Sequence, residues 1–380
     1  MKTIKIIHVF LGLSLIDIFY VVWMLMLVKL NNIIMFALIA FFISWILYPI
    51  YIHILRKYKI GKTIREAAVT WEKSKIFTKL HEHKQGTPTM WWGIFLIVML
   101  LMIGLSFVLK DYGFINNTLF NRQETYIILF GFFSMGLIGL VDDFLNIKWH
   151  GAVKWLSAKA KLIGMVVFSA FISRWFYSRL GIDYINFRPI AGKISIWLFY
   201  PIVTFFATIA IVNAINITDG LDWLAWGLMT IILFVLAVML FFNQTYIATT
   251  VIAIVVAILV AFMFYNIHPA KVFMWDSWAF ALWGLIASLL YFLNMRTGIL
   301  IPFLLLFLLF IIDLLSSFLQ IFWKKYFKKK LFLVAPLHHL FEKKGINETT
   351  IVMKARFIQG ILAAITVIIL FYQVSKTFIN

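Results

Sequence analysis

Two adjacent aspartates, Asp142 and Asp143, close an apolar run that begins near Thr125. A charge is costly at the centre of a bilayer but not at the end of a membrane helix, so we expect the pair where a helix meets water. Two neighbouring anions there favour a divalent cation, a phosphate chemistry organised by it, or both. A pair of solvated helix-end aspartates is the alternative that this stretch leaves open.

Three more carboxylates follow other apolar runs: Asp219 and Asp222 in residues 213–222 (Asn-Ala-Ile-Asn-Ile-Thr-Asp-Gly-Leu-Asp), and Asp276. Because Mg²⁺ usually takes one or two carboxylates and keeps waters and phosphate oxygens, five carboxylates exceed its needs. The others can accept hydrogen bonds from ribose hydroxyls or a base N–H, or hold a lysine that contacts phosphate. Lys159 and Lys161 could be such lysines, although each alone is equally well explained as a membrane-flanking cation.

Two neighbouring histidines, His338 and His339, lie in the last large polar segment. On a helix they would project about 100° apart, whereas a loop would let them converge. Zinc sites want ligands at wider spacing, so a pair in a basic segment favours hydrogen bonds to a phosphate. The Walker, Rossmann, nucleophile-elbow and His-Glu-x-x-His patterns do not occur, which argues against a soluble nucleotidase or protease domain.

The elements that position these residues are membrane helices, because 64% of the 380 residues are hydrophobic and only 13% are charged. The absence of cysteine excludes disulfides and thiolate metal sites. Apolar runs long enough to cross a bilayer predict an all-α polytopic protein of about ten or eleven spans. The eleven candidate spans are residues 6–28, 33–54, 91–109, 125–141, 161–178, 194–212, 226–242, 246–266, 277–294, 299–322 and 355–373.

The charges are asymmetric between the two faces that these spans define. If adjacent spans alternate in direction, the polar clusters share one face with the N-terminus, and so do most of the 34 Lys and Arg residues. The positive-inside rule makes that face cytoplasmic, and it accounts for the net charge of +19 without a nucleic-acid partner. The first run, 6–28, is also compatible with an interfacial helix. No small-residue cleavage site follows it, so we do not interpret it as a removed signal peptide.

Five motifs in this order resemble those of the polyprenyl-phosphate N-acetylhexosamine-1-phosphate transferases. The Gly-Thr-Pro-Thr-Met and Ala-Pro-Leu-His-His-Leu-Phe-Glu versions are most similar to the phospho-N-acetylmuramoyl-pentapeptide transferase family. Family members usually have ten spans with both ends outside, so an eleventh would move Met1 to the cytoplasm. The resemblance implies a single membrane domain over 1–380, with an extra N-terminal helix within 1–32 and a transferase core over 50–375. The motifs are residues 86–90, 141–144, 213–222, 269–276 and 335–342.

The resemblance also implies roles for individual residues. Asp276 would be the principal Mg²⁺ ligand, with Asp142 and Asp143 beside it, and these three with His338 and His339 are the candidate catalytic residues. Phe273 would stack on uracil, and Lys161 matches a phosphate-side lysine. Two positions depart from the family pattern, Leu340 for a third histidine and Asn146 for a lysine. The candidate substrate-binding residues are Thr87, Lys161, Asn213, Asn216, Asp219, Asp222, Asn266 and Phe273.

The implied reaction joins a UDP-linked phospho-N-acetylmuramoyl-pentapeptide to undecaprenyl phosphate in a bacterial plasma membrane, giving lipid I and UMP for peptidoglycan synthesis. A homodimer is also implied. Three alternatives stay open: a UDP-N-acetylglucosamine transferase for a polysaccharide or teichoic-acid lipid, an inactive lipid-binding homologue, and a transporter. A transporter would place polar residues at the bilayer midplane, whereas these lie at helix ends. Whether Asp142 is a base or a nucleophile is open, and we favour direct attack by the lipid phosphate because it is already ionised near pH 7.

Tryptophan stands at eight motif positions where the resembling family has glycine. Glycine serves where backbones approach closely or φ is positive, so the largest side chain is its least expected replacement. Aromatic enrichment at the membrane interface is one explanation, but it does not select glycine sites. Our hypothesis is that UGA encodes glycine in the source organism and has been translated as tryptophan. The positions are Trp91, Trp92, Trp155, Trp223, Trp226, Trp275, Trp278 and Trp283.

Overall fold

The structure is a computed structural model that describes residues 15–58, 92–121, 123–148, 158–187, 192–267, 276–298 and 300–379. Over these ranges the chain forms twelve helices and one hairpin. The helices are α1 Leu15–Lys57, α2 Trp92–Asp111, α3 Gln123–Lys148, α4 Ala158–Ser178, α5 Phe199–Thr218, α6 Leu224–Phe242, α7 Tyr246–Asn266, α8 Asp276–Thr297, α9 Leu300–Leu306, α10 Leu308–Phe327, α11 Leu337–Lys343 and α12 Glu348–Ile379.

The architecture confirms the predicted all-α membrane class. Six described helices are long and apolar enough to cross a membrane, and α9 with α10 would make a seventh. Shorter apolar helices occur within α3, α4 and α8. The core is formed mainly by α6, α7 and α8, whose side chains are mostly buried. Outer helices such as α1 and α12 expose apolar side chains, as expected of helices that face lipid.

The N-terminal segment differs from the prediction. Residues 6–28 and 33–54 were expected to be two antiparallel spans, but α1 runs unbroken from Leu15 to Lys57. The expected connection, residues 29–32 (Lys-Leu-Asn-Asn), contains neither glycine nor proline and is too short to reverse the chain between two helices. The described part of this segment is therefore one long helix, and the turn expected at residues 29–32 does not form.

The predicted span over 299–322 is broken. Helices α9 and α10 meet at an angle of 72°. The side-chain amide of Gln359 on α12 donates a 2.9 Å hydrogen bond to the carbonyl of Leu306 at the break. The rings of Phe303 and Phe307 stack across the same turn. A backbone break inside an apolar layer needs such a partner for its freed carbonyl, which explains why Gln359 is fully buried.

Helices α3 and α8 form a close antiparallel pair. Gly131 and Gly284 face each other so tightly that a Cβ on either would collide with the other's backbone. Ser288 Oγ lies 3.3 Å from the carbonyl oxygen of Ile127, which continues the same register. Extended along both helices at about 1.5 Å per residue, this register brings Asp142 and Asp276 to the same end of the pair, roughly one turn apart in height.

Helix α5 packs against α8 through buried polar contacts. Trp283 Nε1 donates a 2.7 Å hydrogen bond to the Thr208 carbonyl, and the Tyr291 hydroxyl donates to the carbonyl of Thr204. These contacts also run antiparallel, so the end of α5 near Thr218 lies toward the Asp276 end of α8. Three helices thus direct their predicted site residues to one end of the bundle.

A short hairpin, the only strand structure in the described ranges, precedes α5 at the other end of the bundle. Strands β1 (Tyr184–Asn186) and β2 (Lys193–Ser195) pair antiparallel, with Ile185 opposite Ile194. The backbone N–H of Asn186 donates to the side chain of Asn294 near the end of α8. The predicted spans 161–178 and 194–212 left only a connection here, so the hairpin was not predicted.

Candidate functional site

The site is built around the turn between α5 and α6, which carries Asp219 and Asp222. Thr218 Oγ1 bonds to the carbonyl of Ala214 and completes the last turn of α5. The Glu348 carboxylate, at the first residue of α12, accepts a 2.5 Å hydrogen bond from the backbone N–H of Asp222. The acidic first turn of α12 therefore fixes the path of the aspartate turn, with Asp222 buried and Asp219 partly exposed.

The first histidine, His338, is held by a carboxylate from a different helix. Its Nδ1 lies 2.8 Å from Asp313 Oδ2 on α10, and both side chains are buried. Among the described residues, the carboxylate of Asp313 bonds only to this histidine. The other ring nitrogen, Nε2, is buried and has no hydrogen-bond partner among those residues. His338 thus presents one free nitrogen to the interior of the site.

The second histidine, His339, has its own carboxylate. Nδ1 of His339 lies 2.6 Å from Oε2 of Glu342, one turn later on α11. Burial lowers the pKa of His339 below its ordinary value of 6.5, the hydrogen bond to Glu342 opposes this, and neighbouring His338 lowers the pKa further. The two imidazoles contact each other, with ring centroids 4.2 Å apart.

Both histidines point at the aspartate turn. A Cβ built on Gly220 would lie within 2.8 Å of Nε2 of His338 and of Nε2 of His339. Glycine is needed here for close approach, since φ of Gly220 does not lie in the left-handed region. The space beside Gly220 is therefore where two imidazole nitrogens and the Asp219 turn converge.

This convergence differs from the sequence-based geometry. We expected that a helix would direct the two histidines apart and that only a loop would let them converge, yet both lie on the short helix α11. Each ring is rotated by a separate carboxylate, so the 100° between their Cβ directions does not prevent Nε2 of both from facing Gly220. The preceding loop is fixed to α10 by Gln320, which bonds to the backbone of Leu331 and Phe332.

The other predicted site residues lie partly or wholly outside the described part of the structure. Asp142, Asp143 and Lys161 lie in helices, and Asp276 begins α8, but their side chains fall outside the described part of the structure. Thr87 and Phe273 lie wholly outside the described residues. The roles of these six residues stay predictions, and the register of the α3–α8 pair bears only on the shared end of Asp142, Asp143 and Asp276.

Three asparagines complete the predicted set. Asn266, the last residue of α7, is buried, whereas Asn213 and Asn216 on α5 are partly exposed. The Asn213 side-chain amide donates 2.8 Å to the carbonyl of Ile209 in its own helix, which leaves its oxygen to accept. All three lie in the last two turns of their helices, toward the same end as the aspartate turn.

Trp223, directly after the aspartate turn, is one of the tryptophans at a glycine position. Its φ of 68° lies in the left-handed region that favours glycine. The Arg356 guanidinium of α12 stacks 3.8 Å from the centre of its ring. Trp226 and Trp283 are fully buried, and Trp283 has a hydrogen-bond partner. The backbone at Trp223 thus agrees with the hypothesis that this position encodes glycine, whereas Trp283 is well accommodated as tryptophan.

Several residues that organise the site were not predicted from the sequence. Gly220 and Glu342 lay inside quoted motifs without a role, and Glu348 and Arg356 were not singled out. Asp313 was overlooked within an apolar run, although a lone carboxylate in such a run indicates a buried partner. That signal could have identified Asp313 as a residue with a buried partner, without naming the partner.

The chemistry available to this arrangement is recognition of an anion or a polyhydroxyl ligand. No described set of three His, Cys, Asp or Glu side chains has the arrangement of a metal centre. Two imidazole nitrogens beside carboxylates can donate to phosphate or accept from hydroxyl groups. Such a site binds and orients a ligand.

Comparisons with known proteins agree with these features. Residues 125–294 match the family described as glycosyl transferase family 4, a range that runs from the first turn of α3 to the last turn of α8 and includes the aspartate turn. A phospho-N-acetylmuramoyl-pentapeptide-transferase of Dictyoglomus turgidum is 36% identical over 336 residues, which cover 87% of this chain and 96% of that protein.

Two further relatives bear the same name. The protein from Clostridium acetobutylicum is 32% identical over 87% of this chain and 96% of its own length. The protein from Clostridioides difficile is 33% identical over 88% of this chain and 97% of its own length. Identity of 32% to 36% over most of both chains shows that the chain belongs to the phospho-N-acetylmuramoyl-pentapeptide-transferase family.

Proposed function

We propose that this protein transfers phospho-N-acetylmuramoyl-pentapeptide from its UDP-linked precursor to undecaprenyl phosphate, giving lipid I and UMP for peptidoglycan synthesis. The observation that carries the proposal is the convergence of His338 Nε2, His339 Nε2 and the Asp219 turn, in a chain whose full-length relatives bear that name. A membrane-embedded bundle with a polar site at helix ends suits a lipid acceptor and a water-soluble donor.

The reaction consists of one displacement at phosphorus. An oxygen of the lipid phosphate forms a bond to the β-phosphorus of the donor, and the bond from that phosphorus to the bridging oxygen breaks. The electron pair leaves with UMP. Since the attacking group is already an anion near pH 7, it needs no base, and the protein mainly has to hold two anions in line.

Mg²⁺ fits the residues proposed to hold it. A hard cation prefers carboxylate oxygens, and Asp276, Asp142 and Asp143 are directed to one end of the α3–α8 pair by its glycine-mediated register. When bound, the ion would neutralise charge on the diphosphate. Mg²⁺ takes oxygen ligands in preference to imidazole nitrogens, so we assign the two histidines to the donor rather than to the metal.

The described residues divide the recognition of the donor between two sides. Asp219, Asp222 and Asn266 supply oxygen acceptors suited to uridine hydroxyls and base N–H groups. His338 and His339 direct Nε2 toward Gly220 of the Asp219 turn. With the proton on Nδ1, Nε2 of a neutral ring accepts hydrogen bonds, which suits sugar hydroxyl groups; only a ring protonated on both nitrogens donates to a phosphate oxygen. Phe273 and Lys161 would add stacking and a phosphate contact.

We also infer that the site faces the cytoplasm of a bacterial plasma membrane, where the nucleotide donor is made. The distribution of Lys and Arg supports this orientation. A thiol label at position 345 should react only from the cytoplasmic side, and one at Asn117 only from outside. The opposite accessibility would overturn the orientation.

The decisive experiment is UMP release by the purified protein in detergent, with undecaprenyl phosphate and Mg²⁺, from two donors supplied separately. Release from UDP-N-acetylmuramoyl-pentapeptide and not from UDP-N-acetylglucosamine is expected. The reverse preference would assign the chain to a polysaccharide or teichoic-acid lipid. Release from neither donor, by protein that is monodisperse, would favour an inactive homologue. A homodimer stays a prediction that size-exclusion chromatography with light scattering can test.

A further inference from the structure

Asp313 is a carboxylate buried among apolar side chains, where it needs a hydrogen-bonding partner. It lies on α10, 6% exposed, among Leu and Phe residues of a helix whose opposite face is exposed and apolar. A buried ionised carboxylate is costly without a hydrogen-bonded partner. Its described partner is Nδ1 of His338, 25 residues later in the chain.

The chemistry of this pair fixes which nitrogen of His338 faces the site. An ionised carboxylate can only accept hydrogen bonds, so the contact to Asp313 requires a proton on Nδ1. The ring is thereby oriented with Nε2 toward Gly220, where it is buried and without a hydrogen-bond partner among the described residues. A buried polar atom left in this state calls for a ligand, an ion or water as its partner.

A comparison of the two histidines shows what Asp313 adds. His339 is oriented by Glu342 on the same short helix, so that pair can move as one unit. The pair of His338 and Asp313 instead joins α11 to α10, which belongs to the bent α9–α10 unit. The contact between His338 and Asp313 is therefore the one of the two that fixes an imidazole of the site relative to a second, longer helix.

We propose that Asp313 is a positioning residue for the transfer reaction. It holds His338 in the tautomer with the proton on Nδ1 and keeps Nε2 directed at the donor beside the Asp219–Gly220 turn. This inference rests on the proposed function. Asp313 itself does not contact the substrate, and its effect passes entirely through His338.

The test is a double-mutant cycle between Asp313 and His338. Asp313→Ala and His338→Ala are each expected to lower kcat/KM for the UDP-linked donor about 100-fold, the loss typical of a misplaced site group. The double variant should be no more than about threefold below either single variant, because the two residues act as one unit. Losses that multiply in the double variant would overturn the proposal, since a purely structural Asp313 would act without His338.

Three further variants separate positioning from packing. Asp313→Glu keeps an acceptor-only carboxylate and should recover activity to within about tenfold of wild type. Asp313→Asn keeps the shape, but its amide can also donate to Nδ1, so it should fall well below the Glu variant. Ser316→Ala is the matched control, since Ser316 is buried on the same helix and, among the described residues, bonds only to the Asp313 backbone carbonyl. It should stay close to wild type, and Asn activity equal to wild type would contradict the proposal.

A spectroscopic measurement keeps the inference independent of the assigned reaction. In ¹⁵N-histidine-labelled protein, with the His338 signal assigned by its loss in His338→Gln, wild type should show a proton on Nδ1. Asp313→Ala should shift that histidine toward the other tautomer. If no donor is turned over, the proposed function fails while the tautomer shift still tests Asp313. An unchanged tautomer would sink the inference whatever the activity.

Discussion

Gly220→Ala should disable the site by adding one methyl group. The new Cβ would lie 2.8 Å from Nε2 of His339 and closer still to Nε2 of His338. Ordinary contacts between heavy atoms begin at about 3.5 Å, so the His339 ring must retreat by about 0.7 Å and the His338 ring by more. The backbone itself can accept alanine, because φ of Gly220 lies outside the left-handed region.

The expected loss follows from that displacement. A shift of about 1 Å in a positioning group can lower the rate about 100-fold, which corresponds to roughly 2.7 kcal/mol in the barrier. Overpacking should lower the free energy of unfolding by about 1 to 3 kcal/mol, so the protein should still fold. The effect should therefore appear mainly in kcat/KM and only modestly in the melting temperature.

The assay is UMP release, with Gly360→Ala as a matched control. Gly360 lies on α12, and no described atom lies within 4 Å of the position that its new Cβ would occupy, so this variant should keep wild-type activity. A second control removes the nearer obstacle: adding Gly220→Ala to His338→Ala should lower kcat/KM by a smaller factor than adding Gly220→Ala to the wild-type protein. Activity of Gly220→Ala equal to that of Gly360→Ala would refute the reasoning, because the imidazoles would then not be confined beside the turn.

Asp276→Asn should abolish turnover in a folded protein, and activity within about tenfold of wild type, only about 1.4 kcal/mol in the barrier, would refute its role as a metal ligand. The folded state holds the pKa of His339 below 6.5, so the unfolded state binds the proton more tightly and protonation favours unfolding. The melting temperature should therefore fall as the pH drops below about 6.5, and His339→Gln should make that fall smaller. Trp223→Gly should be more stable than Trp223→Ala by about 1 kcal/mol, since only glycine adopts a φ of 68° without strain, and equal melting temperatures would contradict this. Glycine at all eight tryptophan positions should raise the monodisperse yield and Mg²⁺-dependent UMP release, and no gain in either would show that the tryptophans are genuine.

The features that depend on the bilayer were the ones that sequence patterns predicted best. Long apolar runs and charges at their ends identified the membrane class and the end of α5 that carries Asp219, because the cost of burying charge in lipid acts on every segment alike. The break near Leu306 was not predicted, since it depends on Gln359, a residue far along the chain that supplies the missing hydrogen bond.

The sequence predicted individual residues of the site but not the contacts between them. Motif residues such as Asp219 and His338 were identified individually, because each stands out as polar at a helix end. The contact of His338 with Asp313 could not be read from spacing, since it joins two helices whose relative position depends on tertiary packing. The N-terminal segment was predicted wrongly because hydropathy alone cannot tell one long helix from two short ones.

Because α3 and α8 touch through the backbones of Gly131 and Gly284, main-chain packing sets how far apart Asp142 and Asp276 lie. Where backbones touch, no side chain can be compressed or change rotamer to absorb a disturbance, so the two helices must translate or rotate together as rigid rods. Asp142 lies about 17 Å from the crossing along one rod and Asp276 about 12 Å along the other, at about 1.5 Å per residue. A tilt of only about 5° at Gly131 would therefore move the Asp142 end by roughly 1.5 Å, so a methyl group at the crossing should displace the proposed metal site two to three helical turns away.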